Sequence, residues 1–459
     1  MSIKRILIAL VFLLGLSYIV ASRVPVITPT SILPAPSLTS ISPTSTPPYI
    51  PTECAGLSVA TLAPATIMAQ PSPSVGTNPP LSQDEQLKLF DELTSPILDL
   101  YLYPDFNGLD WLGIVAKYRA KVKAGLDTGT FYSEMQNLIN ELGDNHSQYL
   151  SPAQVAASAV ELAGKNNYIG IGVEILPMPE KGRISLTMVF PGSSAEHAGL
   201  KPHDSLLAVD DRPLVENGQT YSQLIRGPEC STSVLTVQSP GGPSRHITLV
   251  RYDVKTSIAI DAELVTTHDG SRIGYIYLPS FFDETIPGQV RQALEQFGRL
   301  DGLILDNRNN PGGSSDVVEP ILSYFTDGVL GIFTGRTESH PLHVSAVPVI
   351  NSQTVPMVVL VGVNTVSFGE IFSGVLQDIG RAKVVGQTTL GNMEILHRHD
   401  LSDGSLLWLA EERFIPLHSH ADWEQTGIIP DVLAYADWDT FTFENDPSIA
   451  AAVKLLGHQ

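Results

Sequence analysis

Strand-like and helical patterns alternate along the second half of the chain, and this alternation limits the fold more than any other feature of the sequence. Apolar runs such as "RIGYIYLPSF", "DGLILDNR" and "VPMVVLVGV" are separated by amphipathic segments such as "IPGQVRQALEQFG". Strands that alternate with helices usually form a parallel sheet with the helices packed on its faces. Residues 254–440 are therefore predicted to form an α/β core, with any site beyond the carboxyl ends of its strands.

Two motifs fall at that edge of the predicted sheet. The sequence "NNPGG" at 309–313 follows a buried strand, and its glycines can expose backbone N–H groups that stabilise an oxyanion. An ordinary strand-to-helix turn would carry the same residues. Ser367 begins the next predicted helix, where the helix dipole favours developing negative charge. Ser367 and Glu370 also match a helix capping box, and this interpretation is compatible with Ser367 as a nucleophile.

The first 81 residues have the composition of an export segment followed by a linker. In residues 1–22, Lys4 and Arg5 precede an apolar run that is short for a membrane span. This segment fits both a cleaved signal peptide and a retained membrane anchor. Residues 23–81 are rich in Pro, Ser and Thr and carry few charges, so they are predicted to be a disordered linker. The rest of the chain is expected to be extracytoplasmic.

Charge and cysteine content exclude some classes of function. The 27 basic and 48 acidic residues give a net charge of −21, which disfavours nucleic acid or an anionic membrane surface as a partner. The only cysteines, Cys54 and Cys230, are too few for a zinc framework. A single disulfide between them remains open.

Two histidine pairs are candidate metal ligands. His397 and His399 alternate along a predicted strand, as do His418 and His420, and alternate strand residues share a face. No nearby cysteine or convincing carboxylate set completes a zinc site, so no metal and no other cofactor is predicted. His397 remains a second choice of catalytic base.

Residues 82–164 are predicted to be mainly helical. Ser82 with Glu85 forms a capping box before apolar residues at helical spacing. The polar stretch "LGDNHSQYLSP" closes this region, with His146 as its titratable centre. A solitary loop histidine is more often structural than catalytic. Residues 441–459 are predicted to be a C-terminal tail or helix.

Residues 165–253 alternate in the manner of short strands. The order of "YIGIGVEI" and "PGSSAEHAGLKPHDSLLAVDDRPL" resembles a PDZ domain. The resemblance implies a carboxylate-binding loop, whose backbone amides hold a peptide C-terminus while the peptide adds a strand. A scaffold that only packs on its neighbour is the alternative. The loop would comprise Tyr168, Ile169, Gly170, Ile171 and Gly172.

Together with the linker and this inserted region, "LDNRNNPGG" and "VNTVSFGEIFSGVLQDIGRAKVVGQTT" resemble the C-terminal processing and tricorn-type serine peptidases. The resemblance covers most of residues 85–440 and implies a crotonase-like layered β/α core. It implies Ser367 as the nucleophile, with Gly312 or Gly313 and Phe368 supplying the oxyanion-hole amides. Proteins or peptides, recognised by an extended or C-terminal segment, are the partners it implies.

The resemblance also raises the question of the base. The processing branch has a lysine about twenty-five residues after the serine, where this chain has Asn392. The tricorn branch uses an upstream histidine and a downstream glutamate, which correspond to His146 and Glu424. Such a Ser–His–Glu set is chemically complete. Alternatively, Glu424 is an exposed acid in a loop and His146 only makes a hydrogen bond at the edge of the core. The chain would then be a peptide-binding protein without catalytic activity.

Overall fold

The computed structural model describes residues 48–54, 80–144, 146–164, 168–254 and 260–457. The predicted export segment and most of the predicted linker lie outside the described residues. Among the helices of the described ranges, none combines the length and the hydrophobicity that a bilayer span requires.

Helices and strands are numbered here in chain order. The helices are α1 (Gln83–Leu100), α2 (Trp111–Lys123), α3 (Thr128–Asn140), α4 (Pro152–Gly164), α5 (Ser194–His197), α6 (Ile286–Phe297), α7 (Ser315–Ser323), α8 (Phe368–Asp378), α9 (Trp423–Thr426) and α10 (Pro447–Leu455). The strands are β1 (Gln148–Leu150), β2 (Tyr168–Gly170), β3 (Val173–Met178), β4 (Arg183–Val189), β5 (Ser205–Val209), β6 (Arg212–Pro213), β7 (Val215–Glu216), β8 (Gln219–Thr220), β9 (Thr232–Gln238), β10 (Ser244–Val250), β11 (Tyr252–Val254), β12 (Asp261–Thr266), β13 (Arg272–Tyr277), β14 (Gly302–Asp306), β15 (Gly328–Gly335), β16 (Ser339–Val344), β17 (Met357–Val361), β18 (Lys383–Gly386), β19 (Ile395–Asp400), β20 (Leu406–Pro416) and β21 (Val432–Leu433).

The central sheet has the order β12-β13-β14-β17-β18-β21. Within this sheet, strands β13, β14, β17, β18 and β21 are parallel and β12 is antiparallel to β13, so the predicted parallel layer is confirmed. Successive side chains of a strand point to opposite faces. Leu303 and Leu305 accordingly pack in the cluster that contains α6, α7 and α8, whereas Ile304 packs with α10 on the other face. Burial on both faces explains the continuous apolar runs of these strands.

A second sheet, antiparallel, joins the helical region to the core. Strand β20 pairs with β1 and β15 along one side and with β19 along the other. Residues 406–410 of β20 pack in one cluster with α1, α2 and α3. The predicted capping box at the start of α1 is confirmed, because Ser82 N donates to Glu85 Oε2 at 2.7 Å and Ser82 Oγ accepts from Glu85 N.

Residues 168–254 form a β-rich unit with an antiparallel sheet of order β10-β9-β5-β4-β3, in which β6 also pairs with β5. A disulfide between Cys54 and Cys230 ties residues 48–54 to this unit. The Tyr49 ring stacks on His197 with 3.7 Å between the ring centroids. This part of the predicted linker therefore lies against the β-rich unit, and the prediction of disorder does not apply to residues 48–54.

Residues 437–446, here called the C-terminal strap, connect the β-rich unit to the central sheet. Trp438 Nε1 donates to the Leu186 carbonyl oxygen at 2.8 Å, and His203 Nδ1 lies 2.8 Å from the Trp438 carbonyl oxygen. At the other end of the strap, Asp446 pairs with the buried Arg308 at 2.6 Å. Arg308 immediately precedes the "NNPGG" motif, so the strap contacts both the β-rich unit and the base of that loop.

Candidate active site

Ser367 lies in a strained turn between β17 and α8, at the carboxyl edge of the central sheet. Its φ of 56° and ψ of −125° are unfavourable for a residue with a Cβ, and such strain concentrates at functional sites. A serine nucleophile held on a sharp strand-to-helix turn has this kind of backbone. Ser367 is 1% exposed, and its Oγ has no hydrogen-bond partner within the described residues.

Glu370 holds the turn in place. Its buried carboxylate accepts from Ser367 N at 3.2 Å, which is the glutamate's half of the capping box. The same carboxylate accepts from Thr389 Oγ1 at 2.5 Å, Gly391 N at 2.8 Å and Asn392 N at 2.9 Å. Burial raises the pKa of Glu370, and these donors oppose that effect. Glu370 therefore fixes the loop after β18 against the start of α8.

His146 is buried just before β1. Asp144 Oδ1 accepts from His146 N at 3.0 Å and so shapes this turn. His146 Nδ1 lies 3.1 Å from the main-chain oxygen of Glu394, to which it donates, and 3.1 Å from Glu394 Oε2. A carbonyl oxygen only accepts, so Nδ1 carries the proton and Nε2 presents a lone pair. Nε2 has no partner among the described residues, and burial lowers the pKa of the imidazole.

One short segment holds both of these residues. Ser367 N donates to the carbonyl oxygen of Asn392 at 3.0 Å, and His146 bonds the carbonyl oxygen of Glu394. Backbone positions two residues apart are separated by at most about 7 Å. The backbone of Asn392 thus helps to place Ser367, while its side chain offers no titratable base.

The carboxylate beside His146 is Glu394, which is not among the predicted site residues. The predicted acid, Glu424, accepts instead from Met393 N at 2.6 Å. Glu394 is 3% exposed and accepts from Tyr103 at 2.8 Å. The reason lies in the second sheet, because β1 and β19 flank the same stretch of β20 and bring the residues that precede them together.

The sequence contains one signal for Glu394, which is that this charged residue stands between two apolar residues. Met393 and Ile395 are both buried, and a glutamate between them at the start of a strand needs a specific partner. Identifying that partner requires the pairing of strands about 250 positions apart in sequence, which no local pattern shows.

Gly313 presents its backbone N–H away from the neighbouring strand segment. Phe281 N donates to the Gly312 oxygen at 2.7 Å, and Ser314 N donates to the Phe281 oxygen at 2.8 Å. In such a parallel bridge the residue between these two bonds directs its own N–H to the opposite side. The φ of Gly313 is 150°, and a Cβ there would lie 2.0 Å from the Phe281 carbonyl carbon. Only glycine fits at this position.

Gly312 and Phe368 lie next to Ser367. Gly312 N already donates to Asn310 Oδ1 at 2.9 Å, so of the two glycines Gly313 has the amide available. A Cβ on Gly312 would lie 2.8 Å from Ser367 Cβ and 3.0 Å from Phe368 N. Phe368 N is the first amide of α8 and therefore has no acceptor within the helix.

The predicted peptide-binding loop is distributed between a strand and a turn. Tyr168, Ile169 and Gly170 form β2, which pairs with β11. Ile171 is fully buried, and its oxygen accepts from Ala195 N at 3.0 Å. Gly172 has a φ of 83° and leads into β3, which is the edge strand of its sheet.

The histidine pairs do not form a metal centre. His397 Nε2 lies 3.3 Å from Glu412 Oε2, and His399 pairs with Glu411. Within the described ranges, no group of three or more His, Cys, Asp or Glu side chains is arranged to hold a metal ion. His418 and His420 are exposed in the loop before α9.

Comparison with known proteins places this chain in a family. The model of peptidase family S41 matches residues 272–434. The chain is 30% identical over 389 residues to the carboxyl-terminal-processing protease of Synechocystis sp., which covers 82% of this chain and 88% of that protein. It is 26% identical over 376 residues to the chloroplastic carboxyl-terminal-processing peptidase 3 of Arabidopsis thaliana, covering 78% and 71%. A solved photosystem II D1 C-terminal processing protease matches with a TM-score of 0.56 and 24% identity, covering 80% and 97%. The chain therefore belongs to peptidase family S41 and is a serine peptidase.

Proposed function

We propose that this peptidase cleaves peptide bonds of exported proteins by attack of Ser367, with His146 as the base in place of a lysine. One observation carries the proposal. Ser367 Oγ and His146 Nε2 are both buried, and neither has a hydrogen-bond partner within the described residues. Buried polar atoms without partners are rare and need an explanation, and a serine and a neutral imidazole held by the same segment supply one.

The chemistry follows from these atoms. Ser367 Oγ attacks the substrate carbonyl carbon as its proton passes to His146 Nε2, and the oxyanion accepts from Gly313 N and Phe368 N. Nε2 then gives the proton to the leaving amine, which breaks the peptide bond and leaves an acyl-enzyme. Water, activated by the same nitrogen, hydrolyses the ester and restores Ser367.

The β-rich unit would bind the substrate. We assign it as a PDZ-like domain inserted in a crotonase-like core, in which an extended or C-terminal substrate segment adds to the edge strand β3. Two relatives are named for carboxyl-terminal processing, which supports this substrate class. An extracytoplasmic location, with the N-terminal segment as a signal or membrane anchor, is supported by the disulfide, because disulfides persist in oxidising compartments.

Labelling with a serine-directed fluorophosphonate tests the proposal. The folded protein should be labelled, and Ser367→Ala and His146→Ala should each abolish labelling. Asn392→Ala is the matched control and should be labelled like the wild type. A folded wild-type protein that resists labelling would instead support the alternative, a peptide-binding protein without catalysis.

A further inference from the structure

His203 lies at the contact between the β-rich unit and the C-terminal strap. The residue is 6% exposed, and its φ of 75° falls in the left-handed region that favours glycine. Its Nδ1 lies 2.8 Å from the Trp438 carbonyl oxygen. Its ring centroid lies 4.2 Å from that of Trp438 and 4.6 Å from that of Phe441. One imidazole of the β-rich unit therefore makes three contacts with the strap.

The hydrogen bond to the strap requires only the neutral imidazole. A carbonyl oxygen only accepts, so Nδ1 of His203 carries the proton and Nε2 does not. A second proton, on Nε2, would place a positive charge in a buried site against two aromatic rings. The Arg308 guanidinium already lies over the same rings, 5.0 Å from the Trp438 centroid and 5.4 Å from that of Phe441. The neutral form is therefore the one that fits this contact.

The charges around His203 do not compensate for a second proton. Asp306 and Asp446 both pair with Arg308, at 2.5 and 2.6 Å, so their negative charges are already partnered. Burial lowers the pKa of His203, the hydrogen bond to the strap opposes this effect, and the charge of Arg308 adds to it. The charged groups near the imidazole are Lys201 and Asp204 in its own loop, Glu444 and Asp446 in the strap, and Asp306 and Arg308 beside the central sheet.

We propose that His203 is a pH-sensitive switch, which holds the β-rich unit on the C-terminal strap when neutral and releases it when protonated. The inference goes beyond the proposed function, because it concerns how two parts of the chain are joined. If the β-rich unit binds substrate, mild acid would slow the cleavage of substrates that depend on this unit.

The other charged contacts of this interface keep their charges in mild acid. Lys181 Nζ lies 2.8 Å from Asp437 Oδ2 and 2.5 Å from Asp439 Oδ1. A hydrogen bond from Lys181 lowers the pKa of Asp437, and a side-chain hydrogen bond also lowers that of Glu444. Lysine and such carboxylates remain ionised between about pH 5 and 7. Acid in this range therefore acts on the contact through His203.

The sign of the pH effect follows from proton linkage. A histidine whose pKa is lowered in the docked state stabilises docking fully at pH values above its ordinary pKa of about 6.5. This stabilisation is lost as the pH falls towards the lowered value, because release of the unit then takes up a proton. In that window the docking equilibrium constant should fall by up to about tenfold per pH unit.

Hydrogen exchange on the full chain measures docking without using activity. After correction for the intrinsic exchange rate, the backbone amides of residues 437–446 should exchange about tenfold faster at pH 5 than at pH 7. The amides of β14 and β17 in the central sheet should show no such change. Faster exchange in these strands as well would mean that acid unfolds the core instead of releasing the unit, and the proposal would be wrong.

His203→Asn is the test variant. Asparagine does not titrate, tolerates a positive φ, and has a side-chain amide that can donate to the Trp438 oxygen. Exchange in the strap of this variant should be the same at pH 5 and pH 7. His268→Asn, in an exposed turn, is the matched control and should follow the wild type.

Equal ratios of exchange between pH 5 and pH 7 in the wild type and His203→Asn would overturn the switch. The fluorophosphonate experiment is independent of this measurement. A protein that fails labelling but shows the pH-dependent exchange would contradict the proposed function and leave the switch intact.

Discussion

A single backbone amide is expected to supply much of the oxyanion stabilisation. In Gly313→Ala the added Cβ would meet the Phe281 carbonyl carbon at 2.0 Å, so the loop must move and carry its N–H away from the oxyanion. Losing one such donor lowers kcat by about 10²–10³-fold. Gly328→Ala is the matched control, because Gly328 also has a positive φ but has open space around its Cβ position. Steady-state kinetics on a peptide substrate would measure the difference, and similar kcat values for the two variants would exclude Gly313 from the oxyanion hole.

The titration of His146 should set the acidic limb of activity. Burial lowers the pKa of this imidazole, and only the neutral form accepts the serine proton. The value of kcat/KM should therefore rise with pH through an apparent pKa below the ordinary value of about 6.5 for histidine. His146→Ala should lower kcat by about 10³-fold or more, whereas Asn392→Ala should leave both the rate and the limb nearly unchanged. A limb in the alkaline range would indicate a lysine base.

Residues that directly follow an apolar strand could be located from the sequence. Residues that are placed by the pairing of strands far apart in the sequence could not. Ser367 and the "NNPGG" loop follow apolar strands directly, so the edge of the sheet on which they lie could be predicted from strand–helix alternation. Glu394 could not be placed, because its neighbour His146 is joined to it only through the pairing of β1 and β19 with β20. Glu424 was predicted from the family resemblance. A resemblance indicates a position in the sequence, but it does not indicate which residues the side chain at that position contacts.

At the scale of whole elements, the central sheet was the most predictable part. Its strands are apolar throughout because both faces are covered, and that pattern is visible in the sequence. The antiparallel sheet around β20 draws strands from both sides of the β-rich unit, so its order depends on contacts between residues far apart in sequence. The C-terminal strap has little regular structure, and nothing in its composition indicates that it joins two units.

The strap should be essential for docking of the β-rich unit. Trp438 is buried, donates to Leu186, and has the Arg308 guanidinium 5.0 Å from its ring centroid. Trp438→Ala should lower the free energy of unfolding by about 3–5 kcal/mol through loss of packing. Tyr435→Ala, three residues earlier and 73% exposed, should change it by no more than about 0.5 kcal/mol. Urea unfolding would measure both.

The same substitution tests whether the strap also supports the oxyanion loop. Arg308 lies next to that loop and is bonded to Asp306 and Asp446. Under native conditions, Trp438→Ala should therefore lower kcat for a short peptide as well as for a protein substrate. An effect confined to protein substrates would show that the strap serves only the β-rich unit.

At the scale of the whole molecule, the disulfide closes a long covalent loop, since Cys54 and Cys230 are 176 positions apart. Closing a long loop restricts the unfolded chain, and removing such a bridge costs about 2–5 kcal/mol. The double variant Cys54→Ala with Cys230→Ala should therefore have a lower Tm than the wild type. Its Tm should not respond to reductant, whereas that of the wild type should fall to the level of the variant. Since both cysteines pack against the β-rich unit and not against Ser367, the initial rate at low temperature should be unchanged. A wild-type protein whose thiols are free after reduction but whose Tm is unchanged would show that residues 48–54 dock on this unit without help from the covalent bond.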